Sequence, residues 1–149
     1  MCIRDSHHGN GTQKTFWYDP AVLVAGSQQM PLYPGTGAAN EKGQGNIVNM
    51  PLDPYSGSEE FRNAWASIGL PCLENFEPEI IFISAGFDGH HDDPLAQLNL
   101  TTEDFSWLTK KITRIADKFS SGRIISALEG GYDLPALAKS CTAHVRAIM

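Results

Sequence analysis

The chain has 149 residues, of which 42% are hydrophobic and 19% charged, a composition that is typical of a folded globular protein and argues against a disordered one. Its formal net charge of -6 gives no basic surface for nucleic acid or for an anionic membrane, so we expect neither as a direct partner. The three cysteines, Cys2, Cys72 and Cys141, are odd in number and far apart, which argues against a disulfide scaffold and favours a cytoplasmic protein.

The first six residues carry no helix cap, no turn signal and no periodicity. Residues 1–6 (MCIRDS) lead directly into a motif rich in Gly and His. We therefore predict that residues 1–6 are a non-native junction and that the native domain covers residues 7–149.

Two strands are predicted in the next part of the chain. The apolar runs at residues 21–25 and 46–52 are short, β-branched and bounded by Gly, Pro and Asn, as strands commonly are. A long irregular segment, residues 31–45, lies between them. Segments of that length in a compact domain are often functional, so this one is a candidate wall of a binding site.

A helix is predicted after the second strand. Phe61, Trp65 and Ile68 recur at helical spacing within residues 58–70. Pro71 is expected to end or kink this helix, because proline cannot continue the backbone hydrogen bonds of a helix interior.

Strands and helices alternate in the rest of the chain. The continuous apolar runs at residues 80–83 and 123–128 predict strands that are buried on both faces. Residues 101–119 form the clearest predicted helix, since Thr101 opens a capping box and one apolar stripe follows it. A last helix is predicted over residues 134–149. This order indicates an α/β fold with a parallel sheet, as one domain or part of one.

Side chains with metal-binding chemistry stand where ligands bind to such sheets, beyond the carboxyl ends of the strands. Asp88 is the first ionisable group after residues 80–83, and Asp5 and His7 are two positions apart, so in an extended segment both point to one face. Two carboxylates and one imidazole, with a fourth position left for water, form the pattern of a catalytic zinc site. Tyr132 follows another strand on a Gly-rich turn, from which its phenol could donate a hydrogen bond to a developing oxyanion.

Each of these residues has a structural alternative. An Asp-x-His pair near a terminus is usually solvated, Asp88 alone would serve as a turn residue, and Tyr132 alone would be a half-buried aromatic. The run from His90 to Asp93 is rich in ligand types, but a run of this kind is more often a helix cap and solvated surface. The coincidence of the three motifs favours the metal site.

Four segments in this order resemble the histone deacetylase family. They are HHGNGTQ (7–13), PGTG (34–37), SAGFDGHHDDPL (84–95) and LEGGYDL (128–134). The resemblance is to the class II-like bacterial branch, which includes acetylpolyamine amidohydrolases, and it covers nearly the whole chain from His7 onward. It implies an arginase/deacetylase fold with three α/β/α layers around a mainly parallel sheet. It also implies a zinc-dependent hydrolase that removes an acetyl group from an amine, such as acetyl-lysine or an acetylated polyamine.

The resemblance also implies roles for individual residues. The zinc ligands would be Asp5, His7 and Asp88, and Tyr132 would polarise the substrate carbonyl. The substrate tunnel would be lined by Tyr33, Gly130 and Gly131, and backbone carbonyls near Phe16, Asp19 and Val22 would hold a monovalent cation such as K⁺.

The chain departs from the family pattern in three respects. His7 and His8 are not the family's general-base histidine pair, which lies upstream in the family. Ile3 stands where another aspartate is usual, and residues 26–28 (GSQ) stand where Ser-Leu-His is common, which argues against a potassium site beneath the zinc. We therefore expect the C-terminal half of a deacetylase domain, truncated at its N-terminal side and inactive by itself.

Two other functions stay open from the sequence. A ureohydrolase of the same fold would hold two manganese ions and would need further Asp or His ligands near both motifs. A metal-binding or protein-binding module without catalysis would need none of the catalytic groups.

Overall fold

Five parallel strands form one sheet in the order β3-β2-β1-β4-β5 in the computed structural model, which describes residues 1–149. The strands are β1 (Cys2–Arg4), β2 (Val24–Gln29), β3 (Ile47–Leu52), β4 (Ile81–Ala85) and β5 (Ile124–Leu128). The helices are α1 (Asn10–Thr15), α2 (Ser58–Ala64), α3 (Leu70–Phe76), α4 (Thr102–Phe119) and α5 (Leu134–Ile148), with a π-helical turn (Trp65–Gly69) between α2 and α3. The predicted α/β class with a parallel sheet is confirmed. None of the helices combines the length and the apolar composition that crossing a membrane requires.

Strand β1 occupies the centre of the sheet. The chain leaves it to build β2 and β3 on one side and returns to build β4 and β5 on the other, with Ile3 paired to Gly26 and to Ser84. The carboxyl ends of β1 and β4 therefore lie at the switch point, where open α/β sheets bind ligands. No sequence pattern predicts this strand, since three residues are too few to show an alternation of apolar and polar side chains.

The helix predicted over residues 58–70 contains a change of helical register. The π-helical turn shifts the faces, so Ile68 is 46% exposed although its spacing predicted burial, while Trp65 is fully buried. The chain continues past Pro71, which falls in the first turn of α3, where no backbone N–H is needed. Gly69 allows the close packing, since a Cβ there would lie 2.6 Å from Trp65 Cε3.

The long helix α4 begins as predicted, with a capping box formed by Thr101 and Asp104. The fully buried Asp104 carboxylate also accepts hydrogen bonds from Ser58 Oγ at 2.6 Å and from Arg62 Nε at 2.7 Å. This single carboxylate therefore joins α2 to α4 above the sheet.

The two faces of the sheet are covered unequally. The main core lies on one face and includes Trp65, and a smaller core around Ile3 lies on the other face beneath Phe16. On that second face Phe82 and Ile125, which are partners in the β4–β5 register, are 43% and 49% exposed. The prediction that both of these strands are buried on both faces is therefore wrong for this chain, because no element covers the β4–β5 side of the second face.

Candidate metal centre

The three predicted metal ligands meet beyond the carboxyl ends of β1 and β4. One ligand atom from each of Asp5, His7 and Asp88 lies within 4.8 Å of the other two. His7 Nδ1 faces both carboxylates, at 3.1 Å from Asp88 Oδ2 and 3.5 Å from Asp5 Oδ1. The Asp88 side chain is 1% exposed and the His7 side chain 32% exposed, so the cluster is closed on the Asp88 side and accessible on the imidazole side.

Backbone groups orient the Asp5 carboxylate. Its Oδ1 accepts a hydrogen bond from the His7 N–H at 2.8 Å, and its Oδ2 accepts one from the Gly130 N–H at 3.3 Å. A Cβ on Gly130 would lie 2.9 Å from Asp88 Cγ, closer than real side chains approach. Glycine is therefore required here because the site carboxylates touch the backbone, whatever part Gly130 plays in a substrate tunnel.

Ser6 connects the two strand ends that supply the ligands. Its N–H donates to Asp88 Oδ1 at 2.9 Å, and its hydroxyl contacts both Asp88 Oδ2 and His7 Nδ1. Ser6 is fully buried. No sequence pattern points to Ser6, because a serine between two candidate ligands carries no signal of its own.

The charges of the site favour a bound cation. Two carboxylates face one imidazole, and the salt bridges of Asp5 and Asp88 involve His7 alone. Burial and, after it, the neighbouring Asp88 charge raise the pKa of Asp5 to about 6. A divalent cation would relieve this repulsion, and one imidazole nitrogen with two carboxylates is a donor set that zinc accepts. The residues present therefore fit a zinc ion.

Tyr132 lies on the turn that follows β5, on the same side of the sheet. Its backbone N–H donates to Asp93 Oδ2 at 2.6 Å, and the Asp133 N–H donates to the same oxygen at 3.2 Å. The Tyr132 side chain is largely exposed, and its hydroxyl forms no hydrogen bond within the chain. Asp93, which the sequence analysis assigned to a solvated run, is instead buried and fixes the backbone that carries the phenol. Preceding Tyr132, Gly131 has a φ of +147°, which side-chain-bearing residues rarely adopt.

The segment that carries Tyr33 is tied to the metal centre through a polar network. His8 Nδ1 bonds Thr36 Oγ1 at 2.8 Å, and His8 Nε2 bonds Gln13 Oε1 at 2.9 Å. Gln13 Nε2 in turn donates to Glu41 Oε2 at 2.6 Å. Tyr33 itself is 80% exposed. Both ring nitrogens of His8 are occupied, so this histidine holds the loop and takes no part in the ligand cluster.

The three carbonyls that the resemblance assigned to a monovalent cation do converge, but on a side chain. Asn46 Nδ2 lies 2.8 Å from the Phe16 oxygen, 3.0 Å from the Asp19 oxygen and 3.0 Å from the Val22 oxygen. This cluster stands at the amino ends of β2 and β3, the edge of the sheet opposite to the metal centre. Nothing in the sequence pattern pointed to Asn46.

Arg4 is buried beneath the metal centre without adequate partners. Its guanidinium packs against the rings of Phe87 and Phe105, with the carbon 4.5 Å and 5.1 Å from the ring centres. Nη1 has one long hydrogen bond, 3.4 Å to the Gly86 oxygen, while Nε and Nη2 have none. Burial lowers the pKa of Arg4 to about 9, so the group still carries its charge at neutral pH.

A second group of ligand-type side chains, His90, His91 and Asp92, lies on the loop after β4. The expectation of a helix cap and solvated surface is wrong in part, since no helix begins before residue 102 and His90 is buried. The two imidazoles are stacked 4.4 Å apart. One nitrogen of each ring is already bonded to the backbone, His90 Nδ1 to the Asp92 N–H and His91 Nδ1 to the Leu100 oxygen.

Comparison with known proteins identifies relatives of the whole chain. Histone deacetylase 14, chloroplastic, of Arabidopsis thaliana is 41% identical over 149 residues, covering 97% of this chain and 35% of that protein. The crystal structure of the HDA15 HD domain superposes with a TM-score of 0.92 at 34% identity, covering 99% of this chain and 42% of that one. The structure of the histone deacetylase Clr3 superposes with a TM-score of 0.91 at 30% identity, covering 99% of this chain and 26% of that one. The chain thus spans less than half the length of these relatives.

The sheet, its switch point and the ligand cluster therefore occur in a chain whose fold is that of deacetylase domains, as the resemblance implied. The family model described as the histone deacetylase domain matches residues 4–148, which is nearly the entire sequence. The chain belongs to the histone deacetylase family.

Proposed function

We propose that the protein is a zinc-dependent deacetylase that hydrolyses an N-acetyl amide, with acetyl-lysine as the typical substrate and an acetylated polyamine or another small amide as the alternative within the same family. The observation that carries this proposal is the convergence of Asp5, His7 and Asp88 at the switch point of the sheet. Family membership supports the reaction class, and the donor set supports the metal.

Zinc bound by these three side chains would act as a Lewis acid toward the acetyl carbonyl and a water molecule. The chain's own residues hold the geometry: Ser6 fixes the Asp88 carboxylate, and Gly130 fixes that of Asp5. Tyr132 would donate a hydrogen bond to the carbonyl oxygen as negative charge develops on it. The Tyr132 hydroxyl has no hydrogen bond within the chain, and Asp93 accepts hydrogen bonds from the backbone that carries it, which suits that role.

The substrate passage is proposed to involve Tyr33, Gly130 and Gly131. The polar network through His8 supports this for Tyr33, since it ties the Tyr33 segment to the residue that follows the ligand His7. The two glycines lie between the carboxylates and Tyr132, which is where an acyl group would approach both.

We further propose that the 149-residue chain has little activity by itself and is the C-terminal part of a larger domain. The resemblance places the family's general-base histidine pair upstream of this chain, and neither His8 nor His144 can replace it, because both ring nitrogens of each are hydrogen-bonded. Without such a base the rate falls by roughly 10²- to 10⁴-fold. The greater length of the relatives and the exposed Phe82 and Ile125 support a further part of the domain that covers this face.

The assignment of residues 1–6 to a non-native junction stays a proposal. The unpartnered Arg4 guanidinium supports it, because a native core position seldom leaves two donor groups buried without acceptors. In that case Asp5 is a ligand through its position at the end of β1.

A cytoplasmic location is likewise proposed, and it is supported by the three cysteines, all of which are free. A relative whose name includes the word chloroplastic shows that members of the family occur in other compartments. Cell fractionation with an antibody against the chain distinguishes the two cases.

The function is tested with the full-length protein that contains these residues, loaded with zinc and assayed on an acetyl-lysine peptide and on an acetylated polyamine. Tyr132→Phe is expected to lower kcat by about 10²- to 10³-fold while zinc content stays at one ion per chain, since the phenol acts on the carbonyl and not on the metal. The control is Tyr18→Phe, because Tyr18 is 80% exposed and forms no hydrogen bond. Unchanged turnover in Tyr132→Phe, or turnover that survives removal of zinc by a chelator, would contradict the proposal.

A further inference from the structure

We infer that the Asn46 carboxamide takes the place of a monovalent cation, so that the site formed by the Phe16, Asp19 and Val22 carbonyls binds no K⁺. The residues that the family resemblance assigns to such an ion are all present. The point on which their oxygens converge, however, is occupied by a nitrogen of the protein itself.

The distances are those of ordinary hydrogen bonds. The three N···O separations of 2.8 to 3.0 Å match the range for an N–H donor and a carbonyl acceptor. These carbonyls are partly buried, and the amide group supplies them with a donor without bringing a charge into the fold. An ion at the same point would collide with Nδ2, because both would have to lie within contact distance of the same three oxygens.

Two of the three carbonyls also accept a backbone N–H. The Phe16 oxygen also accepts the Asp19 N–H at 3.2 Å, and the Asp19 oxygen also accepts the Val22 N–H at 3.2 Å. Each of these oxygens therefore lies within hydrogen-bond distance of two donors, one backbone N–H and the amide group, whose two N–H bonds are shared among the three carbonyls. A bound cation would have to displace the amide before it could coordinate either of them.

The carboxamide is held in this orientation from its other end. Asn46 Oδ1 accepts the Gln44 N–H at 3.0 Å, and the Asn46 backbone oxygen accepts the Val24 N–H at 2.9 Å. Exchange of the amide nitrogen and oxygen would set Oδ1 against three carbonyl oxygens and Nδ2 against an N–H. Gly43, at a φ of +56°, packs so closely that a Cβ there would lie 2.8 Å from Asn46 Oδ1. The hydrogen bonds at both ends of the carboxamide therefore hold it against the three carbonyls.

The test compares thermal unfolding of the chain in KCl and in choline chloride at equal ionic strength, because choline is too large to enter the site. The wild-type midpoint is expected to be the same in both salts. Asn46→Ala removes the internal donor and leaves the three carbonyls in place, so its midpoint is expected to be higher in KCl by about 4 °C, the shift that an ion at ten times its Kd gives in a chain of this size. The control is the exposed Asn63, and Asn63→Ala is expected to show no salt difference.

A direct binding measurement accompanies the unfolding experiment. Thallium(I), which has the charge and nearly the size of K⁺, is titrated and followed by thallium NMR, with no saturable binding expected for wild type and one site expected for Asn46→Ala. Asn46→Asp, which keeps the acceptor for Gln44 and adds a carboxylate oxygen, is expected to bind thallium as well and serves if the alanine variant does not fold. Potassium stabilisation or thallium binding by wild type that equals that of the variants would overturn the inference, and so would variants that fold and bind no ion.

Discussion

Replacing Arg4 by leucine is expected to stabilise the chain, although it removes a charged residue from the centre of the sheet. The Nε–H and the Nη2 amino group are buried without an acceptor, and each such group lowers stability by about 2 kcal/mol. Together, the cation–π contacts of Arg4 with Phe87 and Phe105 offset about 1 kcal/mol of this loss in stability. Arg4→Leu should therefore raise the free energy of unfolding by about 3 kcal/mol, since leucine leaves no unpaired donor among these apolar neighbours.

The assay is urea unfolding followed by circular dichroism, with thermal unfolding alongside it. In a chain of this length, a gain of about 3 kcal/mol corresponds to a midpoint higher by about 9 °C. Arg114→Leu is the matched control, because Arg114 lies exposed on α4, and its effect should stay within about 0.5 kcal/mol. If Arg4→Leu is destabilised relative to that control, the guanidinium has partners in solution, and the argument that residues 1–6 are foreign to this fold loses its support.

Three further predictions concern the site and its supports. Gly130→Ala should weaken zinc binding at least about 10-fold in equilibrium dialysis, because the new Cβ would press on Asp88, and unchanged affinity would contradict the packing argument. Burial and, after it, the Arg4 charge lower the pKa of His144 to about 4. Between pH 6.5 and 4 the unfolded state therefore binds a proton that the folded state does not, so the free energy of unfolding should fall by up to about 3 kcal/mol as the pH drops through that range. His144→Gln should unfold with a shallower pH profile in urea titrations over that range, and an identical profile would refute the assignment. Asp104→Asn should lose about 3 kcal/mol in the same titrations, since it breaks a buried ion pair and a capping box, and a loss below about 1 kcal/mol would count against it.

The fold was largely predictable because its strands and helices differ in period. Residues 46–52 and 101–119 were placed within one residue at each end, since each has one continuous apolar pattern bounded by clear start or stop signals. The burial of Ile68 was predicted wrongly because a π-helical turn adds a residue to the helical period. The residue types in this segment do not indicate such a turn. The exposure of β5 could not be predicted either, since its sequence is that of a buried strand. It is exposed because no helix or loop of this chain packs on that face.

The metal centre was predictable in its ligands but not in its supports. Asp5, His7 and Asp88 have ligand chemistry and follow strand ends, so their positions in the chain carry the prediction. Ser6 and Asp93 act through hydrogen bonds to partners more than 35 positions away, and such contacts leave no local pattern. The role of Tyr132 stays a prediction that activity measurements must decide.

The central claim is tested most directly by counting zinc ions on the purified chain and on its His7→Ala variant, using equilibrium dialysis and elemental analysis. The account predicts one zinc per wild-type chain and none on the variant, because His7 contributes the only nitrogen of the ligand cluster and faces both carboxylates. Two metal ions per wild-type chain would indicate the two-metal centre of a ureohydrolase. One zinc retained by the variant would place the metal elsewhere and contradict the account.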